Sequence, residues 1–311
     1  MSQRQKKTYI SCHGWVLLNK PYELGSTTAV SKVRRLLGVK KAGHAGTLDP
    51  LATGVLPIAV GEGTKLIPFI QDGIKTYQFT VKWGVETSTL DKEGEIVKTS
   101  AVQPTAEKIQ EILSGFQGDI QQKPPLYAAI RINGKRAYDI ARSGGDVEMP
   151  LRAVFIERLS LCAARDGEAD FEVVCGKGTY VRSLARDMAY KLGTVGYVTR
   201  LHRSRVGPFS ESQAISLEKL GELMHKGGCN SAVKDLRLGL DDIPAIILND
   251  LQLERLYQGQ RLKLDEEQVP TVSKDAVYLQ CCSEAGAFKG IGLFKVATGV
   301  LHPHRLLLLD R

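Results

Sequence analysis

The 311-residue chain has no apolar run approaching the roughly 18–20 residues needed to cross a bilayer. Its first residues, Met1-Ser2-Gln3-Arg4-Gln5-Lys6-Lys7, are polar and basic, and no apolar segment follows them. The expectation is therefore a soluble cytoplasmic protein without a secretory signal. Its cysteines, Cys12, Cys162, Cys175, Cys229, Cys281 and Cys282, form no CxxC pair and show no metal-site spacing. They are expected to be reduced thiols. Gly61-Glu62-Gly63-Thr64-Lys65 lacks the four-residue gap of a phosphate-binding P-loop. The chain shows neither an internal repeat nor a low-complexity tract.

What is present is an ordinary globular composition, 43% hydrophobic and 24% charged, with a formal net charge of +8. The positive charge is concentrated. Residues 1–65 carry ten Lys/Arg against three Asp/Glu, and residues 177–205 carry seven against one. The rest of the chain is therefore net acidic. Two basic blocks on one chain predict a polyanionic partner, unless they are solvated faces.

Trp15 to Lys20 reads as a strand closed by Pro21. Thr27 or Thr28 is placed to cap a helix with Val30, Val33, Leu36 and Leu37 on one face, ended by Gly38. Further strands are predicted over 55–60, 76–83, 150–163, 169–176 and 197–205. Helices are predicted over 63–70, 105–113, 137–142 and 181–192, and Asn133-Gly134 marks a tight turn. Strands and helices alternate without a βαβ rhythm, which predicts an α+β fold with a mixed, mostly antiparallel sheet and flanking helices. A break near residues 240–247 divides residues 1–243 from a small β-rich module, 244–311, that opens with a short helix at Asp250–Tyr257. An insertion near 122–150 is expected within the first part.

The chemistry concentrates in Gly43-His44-Ala45-Gly46-Thr47-Leu48-Asp49-Pro50-Leu51-Ala52-Thr53-Gly54-Val55-Leu56-Pro57. Its glycines allow close backbone approach to a ligand. Pro50 keeps Asp49 extended and out of any helix. The result is one carboxylate on an irregular loop between Leu48 and Leu51. Alone, an Asp-Pro in a loop is more often a turn than a site. In Leu201-His202-Arg203-Ser204-Arg205, strand alternation puts Leu201, Arg203 and Arg205 on one face.

The segment around Asp49 resembles the GHxGxLDPxATGxLP signature of the TruB family of tRNA pseudouridine synthases. Three other runs agree: Lys75-Thr76-Tyr77, Gln122-Lys123-Pro124-Pro125-Leu126-Tyr127-Ala128-Ala129-Ile130 with Gly134 to Arg142, and Lys177-Gly178-Thr179-Tyr180-Val181-Arg182-Ser183-Leu184. Ala128, Arg131 and Gly176 depart from the usual residues. The resemblance is strong over residues 14–210. Leu51-Ala52 and Gly61–Lys65 look like the stand-alone bacterial branch rather than the guide-RNA-dependent relatives.

The resemblance implies the pseudouridine synthase fold with a PUA-like module at 244–311 that touches the tRNA acceptor arm. It makes Asp49 the catalytic carboxylate, Arg182 its ion-pair partner and Tyr77 the ring that stacks on the target base. It implies isomerisation of uridine-55 in the T-loop: N1–C1′ cleavage, rotation of the uracil and reattachment through C5. The carboxylate either attacks covalently or takes part in proton removal at C2′. Arg182 would keep it ionised and aimed. The base must first flip out of its stack. His44, Lys65, Tyr180, Leu201, Arg203 and Arg205 are the candidate RNA contacts, with Leu201 against uracil and the two arginines on phosphate. No metal or cofactor is called for. The partner is the tRNA T-arm, with a monomeric enzyme and no obligatory protein partner. A tRNA-folding chaperone without chemistry and a catalytic subunit of a guide-RNA particle are the alternatives.

Overall fold

The computed structural model describes residues 9–128, 131–132, 135–136, 149–268 and 274–309. The elements in order are β1 (Gly14–Lys20), α1 (Ser26–Leu37), β2 (Ala42–His44), β3 (Thr53–Val60), α2 (Ile67–Gln71), β4 (Lys75–Trp83), β5 (Val85–Thr87), β6 (Ile96–Thr99), α3 (Ala106–Ile112), β7 (Gly118–Gln122), β8 (Arg131–Ile132) and β9 (Lys135–Arg136). Then come β10 (Arg152–Arg165), β11 (Glu168–Cys175), α4 (Val181–Lys191), β12 (Gly196–Val206), β13 (Phe209–Ser210), α5 (Leu217–Gly227) and α6 (Cys229–Ala232). The last elements are β14 (Ala245–Leu248), α7 (Asp250–Tyr257), β15 (Leu262–Lys263), β16 (Ala276–Ser283), β17 (Phe288–Lys295) and β18 (Val300–Leu306). The predicted helix at 137–142, the Asn133-Gly134 turn and most of the insertion near 122–150 lie outside the described residues.

A mixed sheet runs β1-β3-β12-β4-β11-β10-β7, with β2 added to β3 and β13 to β12. Its pairings are antiparallel except β12 on β3. The two halves bury differently, and the sequence shows why. β1 and β3 are continuous apolar runs, the pattern of a strand covered on both faces. Val16 and Leu18 face the core under α1, while Trp15 and Leu17 face the core shared with the C-terminal sheet. β4 and β11 alternate instead. Phe79, Val81 and Trp83, with Ala169, Phe171 and Val173, pack under α3 and α4, and Phe79 stacks on Phe171 at 5.2 Å. Each such fully buried side chain contributes roughly 1.5–3 kcal/mol. Gln78, Lys82 and Glu172 stay on the open face.

The α+β class and mostly antiparallel sheet are as the sequence predicts. Three local readings differ. α1 starts at Ser26 with Gly25 as its cap, ahead of Thr27 and Thr28. Ser26 is buried with its hydroxyl bonded to the backbone of Leu48, and Leu36, expected on the apolar face, is 41% exposed. Cys12 and Cys229, expected to be free, are joined as a disulfide across 217 residues of sequence. The packing of α1 beside α5 and α6 brings them together, with a Cα–Cα separation of 6.4 Å that suits such a bond.

β14 to β18 form a separate five-stranded sheet, ordered β14-β16-β17-β18-β15, around its own core of Leu248, Leu253, Leu279, Phe294 and Leu301. It packs on the larger sheet through Cys282, Phe288, Ile291 and Leu307 against Trp15, Leu17 and Phe209.

Candidate active site

β3 carries two partners on one edge. β2 pairs with Ile58–Val60, and β12 pairs in parallel with Thr53 and Gly54. Residues 45–52 leave the sheet between these pairings, and Asp49 rides on that loop. Four anchors hold it. Ser26 Oγ donates to Leu48 O at 2.7 Å and accepts from Leu48 N–H at 2.9 Å. Lys20 Nζ donates to Pro50 O at 3.0 Å and to Leu24 O at 2.7 Å. Arg203 Nε donates to Val55 O at 2.9 Å, and its two terminal nitrogens donate to Thr47 O and Gly46 O at 3.3 and 3.1 Å. Thr53 Oγ1 lies 2.8 Å from His202 Nδ1. Gly54, at φ +101°, is obligatory at the seam: a Cβ there would lie 2.2 Å from the Arg203 carbonyl oxygen. The glycine serves strand contact rather than ligand approach.

Beside the loop opens a cavity of about 340 Å³ whose lining includes Asp49, Tyr77, Tyr180, Arg182 and Leu201. These residues come from the Asp49 loop, β4, the start of α4 and β12, and the structure brings them together. Arg182 Nε lies 2.9 Å from Asp49 Oδ2, an ion pair whose N–H direction is off line for a hydrogen bond. Arg182 is 5% exposed, and its guanidinium donates to Thr89 O at 2.8 Å and to Tyr127 O at 3.2 Å. Asp91 Oδ2 stands 3.6 Å from its other side. Asp91 is itself buried and held by the hydroxyl of Thr89 and the N–H of Glu93. Arg182 is thus locked between two carboxylates and two carbonyls, and one of those carboxylates faces the cavity.

Burial pushes the phenol of Tyr77 above its usual range, with Arg203 opposing, so the ring meets the cavity as a neutral hydroxyl. The Arg203 guanidinium lies 6.0 Å from the centre of that ring. Burial, reinforced by the charge of Asp49, raises Tyr180 as well. The backbone N–H of Tyr180 donates to Gln122 Oε1 at 2.8 Å, which fixes the start of α4.

Of the predicted RNA contacts, Arg205, Lys65 and His44 lie outside the cavity lining, and Arg203 lies in it with its donors already engaged. Arg203 is 1% exposed, and its donors are engaged by the backbone carbonyls of Gly46, Thr47 and Val55, which leaves none free for a phosphate. A buried cation of this kind fills the wedge where the sheet splits, and dipoles and the Tyr77 ring compensate it. Arg205 does not share its face. A register shift between Arg203 and Arg205 sets Arg203 opposite Tyr77 but Arg205 opposite Thr76, on the other side of the sheet. Lys65 sits at the junction with the C-terminal sheet, where Glu62 at 2.6 Å and Leu306 O at 2.7 Å bind its ammonium. His44 lies in β2 outside the cavity lining, with Nδ1 buried and unpaired. Burial foremost, then Arg203, lowers its basicity.

Sequence reasoning missed Lys20 and Asp91, and it named Lys75 and Gln122 within motifs without giving either a role. Lys20 carries a legible signal, a lysine closing an apolar strand. Burial lowers its pKa to about 8, against the attraction of Asp49. Asp91 has no such signal, because Thr89-Leu90-Asp91 reads as a turn. Among the described residues no three His, Cys, Asp or Glu side chains gather into a metal set. No helix among them is long and apolar enough to cross a membrane.

Comparison with known proteins identifies the family. Residues 34–181 match the model of the TruB family pseudouridylate synthase N-terminal domain, and residues 182–243 match the tRNA pseudouridylate synthase B C-terminal domain. The chain is 45% identical to the tRNA pseudouridine synthase B of Caulobacter sp. (strain K31), over 99% of this chain and 100% of that protein. It is 47% identical to that of Bradyrhizobium diazoefficiens, over 96% and 86%. Among solved structures, an H/ACA RNP bound to a substrate RNA containing 2′-deoxyuridine superposes with a TM-score of 0.73 at 18% identity, covering 98% of this chain and 92% of that one. The archaeal box H/ACA sRNP Nop10–Cbf5 complex gives 0.72 at 19%, over 96% and 87%. At these identities the likeness is one of fold.

Proposed function

The chain belongs to the TruB family of pseudouridylate synthases and isomerises a tRNA uridine to pseudouridine, and we propose that Asp49 carries the reaction at uridine-55 of the T-loop. The observation that supports this site most is the Arg182–Asp49 pair at 2.9 Å on the wall of a cavity that also holds Tyr77 and Leu201.

The reaction breaks N1–C1′, forms C5–C1′, releases the C5 proton and returns a proton to N1. Asp49 acts either as nucleophile or as base at C2′. Arg182, held on its far side by Asp91 and two carbonyls, fixes where the carboxylate points. Tyr77 presents a neutral ring to the flipped uracil, and Leu201 and Tyr180 close the walls. Stacking offsets part of the few kcal/mol that flipping costs. Arg203 and Lys20 are positioning residues that hold the Asp49 loop from beneath. His44, and the exposed part of the Lys65 stem, remain candidates for contact with RNA around the cavity. Arg205 would reach RNA only on the opposite face.

We further propose that residues 1–243 form the catalytic domain, with an RNA-binding insertion near 122–150. Residues 244–311 are a PUA-like module that meets the acceptor arm. The enzyme acts as a cytoplasmic monomer without protein partner or guide RNA. The test is to incubate purified protein alone with an unmodified tRNA transcript and map pseudouridine by carbodiimide adducts and reverse transcription. A single new stop at the position 55 uridine is expected. Absence of any stop, or a stop elsewhere in the tRNA, would overturn the stand-alone, T-loop reading.

A further inference from the structure

One ion pair joins two loops that flank the mouth of the cavity. Asp72 ends α2, and Lys177 sits in the loop after β11. Lys177 Nζ lies 2.9 Å from Asp72 Oδ2, and the side chains are 66% and 64% exposed. Each is the other's one ion-pair partner among the described residues. The backbones beneath them are fixed. Lys75 Nζ, inside the cavity, donates to Gln71 O and Gly73 O on either side of Asp72. Across the mouth, Gly176 N–H donates to Phe155 O at 2.8 Å, and Thr179 Oγ1 donates to Gly176 O at 3.2 Å. Gln71 and Lys75 line the cavity from one side, and Gly176 to Thr179 from another. The freedom at this rim therefore lies in the two side chains.

Lys177 lines the cavity, whereas Asp72 lies just outside its lining, next to Gln71; a carboxylate this close to a site that receives RNA repels phosphate and calls for an explanation. We propose that Asp72 stands in for a substrate phosphate: it holds Lys177 at the rim in the free enzyme and yields it to a backbone phosphate beside the flipped nucleotide. This rests on the reading of the cavity as the uridine site. An exposed lysine–carboxylate pair is weak. A lysine–phosphate contact on RNA also releases counterion, so the exchange runs toward the substrate. No covalent bond or proton changes hands. Asp72 thereby lowers affinity for RNA that does not bring a phosphate to this point, and Lys177 becomes an RNA contact.

The test uses the full chain carrying Asp49→Asn, so that binding is read without turnover, and a fluorescein-labelled T-arm stem-loop titrated by anisotropy at several salt concentrations. Added Asp72→Asn is expected to tighten binding about threefold or more at low salt. Lys177→Met is expected to weaken binding and to flatten the log–log salt slope by about one. The double variant should bind like Lys177→Met alone. A gain from Asp72→Asn that persists beside Lys177→Met would mean simple repulsion and overturn the handover. So would an unchanged salt slope in Lys177→Met. Should the parent protein itself fail to bind the stem-loop, the reading of the cavity as an RNA site falls too. If the parent binds and Asp72→Asn has no effect, only the handover falls.

Discussion

Replacing Arg203 with Met separates a buried anchor from a phosphate contact. The side chain is 1% exposed and donates to one carbonyl of β3, Val55 O at 2.9 Å, and to two of the loop, Thr47 O and Gly46 O at 3.3 and 3.1 Å. Methionine keeps the apolar stem and removes all three donors. Each buried acceptor left without its partner costs about 1 kcal/mol or more. Carbonyls tolerate this better than N–H groups, and removing a desolvated cation gives some back. The net loss should be about 2–3 kcal/mol, a fall in melting temperature of roughly 3–5 °C for a protein of this size. The Asp49 loop loses its floor, so the single-turnover rate should drop while the affinity for T-arm RNA and its salt dependence stay near wild type. Calorimetry with an RNA titration at several salt concentrations reads both. An unchanged melting temperature, with affinity weakened and the salt slope shallower by about one, would refute the reasoning and restore Arg203 to the phosphates.

Asp91→Asn should lower the single-turnover rate roughly tenfold to a hundredfold with little change in RNA affinity, because it loosens Arg182 without touching the cavity wall; a wild-type rate would remove Asp91 from the site. Lys20 has a pKa lowered from the ordinary 10.5 to about 8, so above that pH its amine gives up a donor to the loop carbonyls. The native state then holds this proton less tightly than the unfolded chain, and linkage makes the group's contribution to stability rise with pH between those values. The expected result is a rate that falls above about pH 8 without thermal destabilisation from this group, and a limb absent in Lys20→Met. The Cys12–Cys229 bond predicts that four of the six thiols react in denaturant without reductant, and that reduction lowers the melting temperature. Closing a loop of 217 residues is worth about 5 kcal/mol in the chain-entropy account. Six reactive thiols would contradict it.

The elements that alternate or run continuously apolar were legible. β4 and β11 read as one-sided strands, β1 and β3 as apolar runs, and Asn249-Asp250 to Tyr257 as a short helix, because local pattern and tertiary burial agree there. Asp49, Tyr77 and Arg182 were legible through the family resemblance, since alone each has a structural explanation. What stayed hidden depends on register and on contacts between distant segments. One irregularity at Ser204 turns Arg205 away from Arg203, and strand alternation cannot foresee it. Arg203 looks like a surface cation until the split in the sheet places it in a wedge. Asp91 and Gln122 act through partners 91 and 58 positions away along the chain, Arg182 and Tyr180, which no local pattern records.

The central claim is that Asp49 carries the isomerisation. Its most direct test is tritium release from T-arm RNA labelled at uridine C5, under single-turnover conditions, with the wild type and Asp49→Asn side by side. The account predicts release by the wild type and none by the variant, with RNA binding retained by both. Release by Asp49→Asn at a rate near wild type would contradict it.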